Sequence, residues 1–196
     1  MNKSILLKGE NKYTTIIDGR NFINHSYGIS ITHYSSISNS EISGFTIQNF
    51  DFAIVKRAPL GSSLYIKISD NVIINNGYGI KTSTTIGGVH IGLQILGNII
   101  EKNDCGIYLN CIRSVSIKRN QISLNDNIGV FIEGYFAKII ENNIFDNGED
   151  AYNNAGFFHF WNRNYWGYEY DKIKFIPGKF FNIDWNPAQD PYGISC

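Results

Sequence analysis

The chain has 196 residues, balanced acidic and basic side chains, and only 17% charged residues. That length holds one domain, and so neutral a chain lacks the concentrated basic face that nucleic acid demands. No run of 18 apolar residues is present, which excludes a hydrophobic helix spanning a membrane.

Isoleucine occurs 33 times, leucine 8 times and asparagine 24 times. Isoleucine packs well on a pleated surface because its χ1 is already restricted, and asparagine tolerates turn conformations. The composition therefore predicts many short strands joined by tight turns. The start, MNKSILLKGE, has too short an apolar core for a signal peptide. Ile5–Leu7 and Thr14–Gly19 read as one or two early rungs. With nothing ahead to cover the first sheet edge, the chain reads as the C-terminal part of a longer ancestor, unless its first ten residues form their own cap.

From Ile42 onward a frame repeats. Ile68/Asn71/Ile73, Ile95/Asn98/Ile100, Ile117/Asn120/Ile122 and Ile139/Asn142/Ile144 all fit I-x-x-N-x-I, in steps of 27, 22 and 22 residues. A weaker copy, Ile42/Phe45/Ile47, lies 26 residues earlier. A period in the low twenties with β-branched residues at fixed phase marks a β-solenoid. Small–apolar pairs supply a second mark at Gly28-Ile29, Ala53-Ile54, Gly79-Ile80, Gly106-Ile107, Gly129-Val130 and Gly156-Phe157. Asn76, Asn103, Asn125 and Asn147 fall between the two marks. Each coil thus reads as two strands with an asparagine turn between them, and the aligned asparagines should form ladders of like side chains. Residues 83–88, rich in Ser, Thr and Gly, read as a surface-loop insertion. About six to seven coils fit residues 1–160. Beyond them, residues 161–196 carry all three tryptophans and three of the four prolines, and read as a non-repetitive aromatic cap.

The stretch Ile42–Asn49, the repeated frame with its Gly–apolar partner, and Asn164–Gly167 resemble right-handed parallel β-helix repeat proteins. The nearest type is related to the periplasmic β-helix protein that assists copper assembly of nitrous oxide reductase, and to surface proteins of bacteria and archaea. The resemblance covers nearly the whole chain. It implies an all-β, right-handed parallel β-helix and a periplasmic, cell-surface or secreted setting. It transfers no catalytic residues, since this architecture hosts enzymes, adhesins and assembly factors alike.

The residues themselves offer three chemistries. Copper would need clustered sulfur or imidazole, yet only Met1 is present and His25, His33, His90 and His159 are widely spaced, so no metal or cofactor is assigned. Cys105, Cys111 and Cys196 form no disulfide framework, and an extended strand between the first two would hold them too far apart to bond. Asp104 and Asp126, 22 residues apart, should stack about 5 Å apart, as a calcium site, as an acid pair for glycoside hydrolysis, or merely as turn residues. Arg113, Lys118 and Arg119 fit either a lyase base or a solvated turn.

The third chemistry is aromatic. Strand alternation points Lys81, Tyr108, Phe131 and Phe158 outward in one row, with Glu133 and Phe160 two residues further on. Such a row is a platform for a polysaccharide, a contact between copies of the chain, or a surface covered by Tyr165, Trp166, Tyr168 and Tyr170. The sequence therefore favours a non-enzymatic module with binding residues Tyr108, Phe131, Phe158 and Glu133. A carbohydrate-active enzyme using Asp104, Asp126 or Glu133 is the alternative.

Overall fold

The structure, a computed structural model, describes residues 4–21, 26–32, 37–58, 64–84, 89–168 and 172–194. His25, His33, Tyr170, Cys196 and most of the 83–88 loop lie outside them. Among the described residues the fold is all-β, a parallel β-solenoid of about six turns. Sheet A stacks β1 (Leu6–Lys8), β4 (Ile37–Ser43), β7 (Leu64–Ser69), β11 (Leu93–Leu96), β14 (Ser116–Lys118), β17 (Lys138–Ile140) and β20 (Phe160–Asn162), then β22 (Asn182–Asp184) and β21 (Lys174–Ile176). Sheet B stacks β2 (Ile16–Asp18), β5 (Thr46–Gln48), β8 (Val72–Ile74), β12 (Ile99–Glu101), β15 (Gln121–Ser123) and β18 (Asn143–Phe145). Sheet C stacks β3 (Tyr27–Thr32), β6 (Phe52–Ala58), β9 (Tyr78–Thr84), β13 (Cys105–Arg113), β16 (Ile128–Tyr135) and β19 (Glu149–Ala155), with the short β10 (His90–Ile91) beside β13.

Each coil has three strands where the repeat pattern suggests two. The isoleucine frame itself bends: Ile68 lies one residue before the end of β7 in sheet A, Asn71 sits at a corner, and Ile73 lies in the middle of β8 in sheet B. The corner is made by the residue before the asparagine. Asp70, Gly97, Arg119, Glu141 and Arg163 all have positive φ, as do Asn75, Lys102, Leu124 and Asp146 at the next corner. A left-handed residue turns the chain in one step, and the following side chain then points into the core. Register confirms the columns: Ile42, Ile68, Ile95, Ile117 and Ile139 pair in sheet A, and Ile47, Ile73, Ile100, Ile122 and Ile144 in sheet B. All are buried. Burying one such side chain is worth roughly 1.5–3 kcal/mol.

Two asparagine ladders run inside this core. Asn71, Asn98, Asn120, Asn142 and Asn164 each pass a hydrogen bond from Nδ2 to the next member. Their Oδ1 atoms accept a backbone N–H from the preceding coil, as Asn98 does from Asn71 at 3.1 Å. Asn76, Asn103, Asn125 and Asn147 repeat this at the second corner. These amides satisfy the backbone groups that the corners leave unpaired, the condition for burying them at all.

The second ladder explains the small residues. A Cβ on Gly129 would lie 2.6 Å from the Asp150 carbonyl and 2.8 Å from Nδ2 of Asn147. The column of Gly79, Gly106 and Gly129 continues to Asp150, since Val130 pairs with Ala151. Gly156-Phe157 is therefore not the sixth pair. It lies beyond β19, where a Cβ on Gly156 would collide with Gly134. The repeat also runs one frame past residue 160. Trp161, Asn164 and Trp166 occupy the Ile, Asn and Ile positions of a further coil, both rings buried. Only after it does β21 break the pattern, by pairing antiparallel with β22.

Candidate functional site

Sheet C carries a ribbon of rings across every coil. Tyr27 stacks on Phe52 at 5.2 Å between centroids, and Phe52 on Tyr78 at 5.3 Å. Tyr78 meets Tyr108 edge-on at 5.6 Å, Tyr108 stacks on Phe131 at 4.3 Å, and Phe131 on Tyr152 at 6.1 Å. Within Tyr27–Phe52–Tyr78 and within Tyr108–Phe131–Tyr152 in-register parallel pairing sets this spacing, because equivalent residues recur one strand separation apart. Tyr78 instead pairs with Cys105 and reaches Tyr108 diagonally. At the bend between the two stacked halves, Lys81 Nζ lies 3.7 Å from the Tyr78 ring centre and 5.3 Å from that of Tyr108. Burial among these rings lowers the Lys81 pKa and raises those of Tyr78 and Tyr108. Nearby Cys105 and the Glu133 carboxylate also oppose ionisation of Tyr108.

Lys81, Tyr108 and Phe131 share the row that the sequence places them in, and both rings stay partly exposed. Phe158 does not belong to it. The register puts Tyr152 opposite Phe131, because the last step of sheet C, from Val130 to Ala151, is short and lacks a small residue to mark it. Phe158 instead sits at positive φ beyond β19, 75% exposed, stacked on Phe136 at 5.4 Å. With Tyr135, Phe157 and Phe180 it forms a separate exposed cluster. Phe160 lies in sheet A, away from Glu133. Glu133 accepts a 2.7 Å hydrogen bond from Asn154. Tyr152 extends this row unforeseen, and Tyr27, Phe52 and Tyr78 form a second row, three residues earlier along each strand, that meets the first at Lys81 and Tyr108. The signal was there for three of them, as an aromatic residue immediately before each small–apolar pair.

The tail pairs through residues 177–179 with Asn153, beside Tyr152, while Tyr108 and Phe131 stay partly exposed. Trp166 is buried in the core, Tyr165 bridges to Asn143 in sheet B, and Tyr168 is exposed. Asp104 and Asp126 do occupy equivalent places in adjacent coils, since their N–H groups bond Asn76 and Asn103 in the same way. Both are exposed, and among the described residues no three His, Cys, Asp or Glu side chains are placed to hold a metal.

A second concentration of titratable groups lies inside. Lys56 is buried, donates to the Ile91 carbonyl at 3.2 Å, and has its pKa lowered by burial to about 8. His90 is fully buried, and burial together with the Lys56 charge lowers it to about 3. His159, which accepts the Ala137 N–H at Nδ1, is lowered by burial to about 4. Cys105 and Cys111 are free thiols, the first buried.

The family described as periplasmic copper-binding protein (NosD) matches residues 2–182. The chain belongs to the NosD family. No curated protein and no solved structure matches it. The NosD match and the parallel solenoid agree, and the family is described as periplasmic. No described helix is long and apolar enough to cross a membrane. The copper in the NosD description does not fit the donors described here. Cys105 and His90 are enclosed, His159 spends Nδ1 on a backbone N–H, and these groups do not converge.

Proposed function

We propose that the chain is a non-enzymatic β-helix repeat module of a periplasmic, surface or secreted protein, and that sheet C holds an extended polysaccharide. The observation that carries this is the unbroken ribbon of six rings from Tyr27 to Tyr152. Stacked rings turn their faces toward one another, so a ligand would meet ring edges, the tyrosine hydroxyls, the Lys81 ammonium and Glu133. A chain ligand with a short repeat suits a surface that repeats once per coil, since each contact can be weak and their number large. Such a patch on a solenoid usually marks a partner.

Co-sedimentation with insoluble polysaccharides, followed by a reducing-end assay, tests the reading. The protein should bind at least one neutral polymer without releasing sugar, and Tyr108→Ala/Phe131→Ala should weaken binding about tenfold or more. Release of reducing ends would make it an enzyme. Binding indifferent to the double substitution would remove sheet C from the account.

A further inference from the structure

A groove of about 860 Å³ runs along sheet A, away from the aromatic ribbon. Its floor follows one in-register row, Lys8, Ser43, Ser69, Leu96 and Lys118, one residue per coil. One wall is the chain's last described segment. Tyr192 is fixed there by two hydrogen bonds with the Asn143 side chain, at 2.8 and 2.9 Å, and by its hydroxyl on the Arg163 carbonyl.

The charge in this groove is positive beyond what its own carboxylates match. At the lower end Lys118, Arg119 and Arg163 all approach a single carboxylate, Glu141, at 3.5, 3.0 and 3.8 Å. Burial alone would favour neutral Glu141, but the Arg119 hydrogen bond and the Lys118 and Arg119 charges prevail and lower its pKa. At the upper end Glu41 holds Lys67 at 3.0 Å, and Asp70 is already paired from beneath by the largely buried Lys12 at 2.8 Å. Lys8 lies beside them in the groove. Between the two ends Leu96 and Gly97 add no charge, and a Cβ on Gly97 would meet nothing within 4 Å.

We propose that this groove binds an acidic oligosaccharide, with sugar carboxylates at Lys67 and at Lys118 and Arg119. The two cationic ends stand two coils apart, about 10 Å. A chain that turns alternate residues to the same side offers acid groups with such gaps between them, whereas the dense phosphates of a nucleic acid call for many more cations. Lys67, Lys118 and Arg119 keep 41%, 42% and 66% of their side-chain surface open, so a ligand carboxylate can reach them beside the more covered Glu41 and Glu141 without displacing either. The Tyr192–Ile194 wall gives the hydroxyl-rich remainder of the ligand its contacts.

Titration of the intact chain with oligogalacturonate, oligoalginate and a neutral oligosaccharide tests this, with inorganic phosphate as competitor. Oligouronates should bind with an affinity that falls as salt rises, and Lys67→Gln/Lys118→Gln should weaken them at least tenfold while leaving the melting temperature nearly unchanged. Tyr108→Ala/Phe131→Ala should leave this binding intact, which separates the groove from sheet C. Absence of uronate binding, undiminished binding by the lysine variant, or equal competition by phosphate would each overturn the proposal.

Discussion

Asp184 Oδ2 accepts the Asn164 amide at 2.9 Å, taking the place that Oδ1 of Asn98, Asn120, Asn142 and Asn164 holds in the coils before it. The same carboxylate accepts N–H groups from Arg163, Asn164 and Asn186 and the indole of Trp166. It is fully buried. Asp184→Ala would strand these donors and should cost about 3–5 kcal/mol. Asp184→Asn keeps one acceptor oxygen and should cost less, roughly 1–3 kcal/mol. Urea unfolding of the two variants checks the order. Equal, small losses would mean that the last coil contributes little to the cooperative unit.

Asn120 is the ladder's middle. Its Oδ1 accepts two bonds from Asn98, and its Nδ2 serves Ile95, Lys118 and Asn142. Asn120→Ala should destabilise by about 3 kcal/mol or more, since it leaves buried groups unpaired in two coils. Asn127→Ala, on the exposed side of a neighbouring turn, should stay within about 0.5 kcal/mol. Thermal denaturation of the pair measures the contrast directly.

The interior histidines set the acid response. Folded His90 and His159 have pKa values of about 3 and about 4, both below the ordinary imidazole value. Between about pH 4 and 6.5 the unfolded chain binds protons that these two refuse, so stability should rise with pH across that window, by up to roughly 2–3 kcal/mol per unit, and level off above it. His90→Leu should flatten the slope. Urea midpoints at pH 5 and pH 7 would decide.

Lys56 acts in the opposite range. At neutral pH its charge is buried, with pKa lowered to about 8, so stability should rise again between about pH 8 and 10 as the folded form sheds the proton first. Lys56→Met should remove that rise and stabilise the chain at pH 7 by about 1–3 kcal/mol. A loss of stability instead would show that the bond to Ile91 outweighs the buried charge.

Gly129→Ala tests the second corner. The new methyl group would press on the Asp150 carbonyl and the Asn147 amide, which belong to a rigid ladder and cannot yield cheaply. A loss of about 1–3 kcal/mol is expected. The opposite sign, as for a glycine free to relax, would place Asn147 elsewhere.

The solenoid was legible because Ile68, Ile95, Ile117 and Ile139 are locked in register by their own burial, and the sequence shows that register directly. The corners were not, because the left-handed position takes Asp70, Gly97, Arg119 or Glu141 with little preference among them. The step from Ile139 to Trp161 hid the last coil, since tryptophans stand in both isoleucine sites of the frame. Phe158 was misplaced for a related reason: Asp150 stands where a glycine would have marked the strand. Tyr108 and Phe131 fall in one row as expected because Gly106 and Gly129 mark their strands.

The two aspartates also govern how such a chain can lengthen. An asparagine both receives and hands on, so a duplicated coil inserted between Asn98 and Asn142 would join the neighbours above and below without alteration. A carboxylate only receives. No copy can be added after Asp150 or Asp184 on the same terms, and variation in coil number within a lineage should therefore accumulate upstream of those two positions.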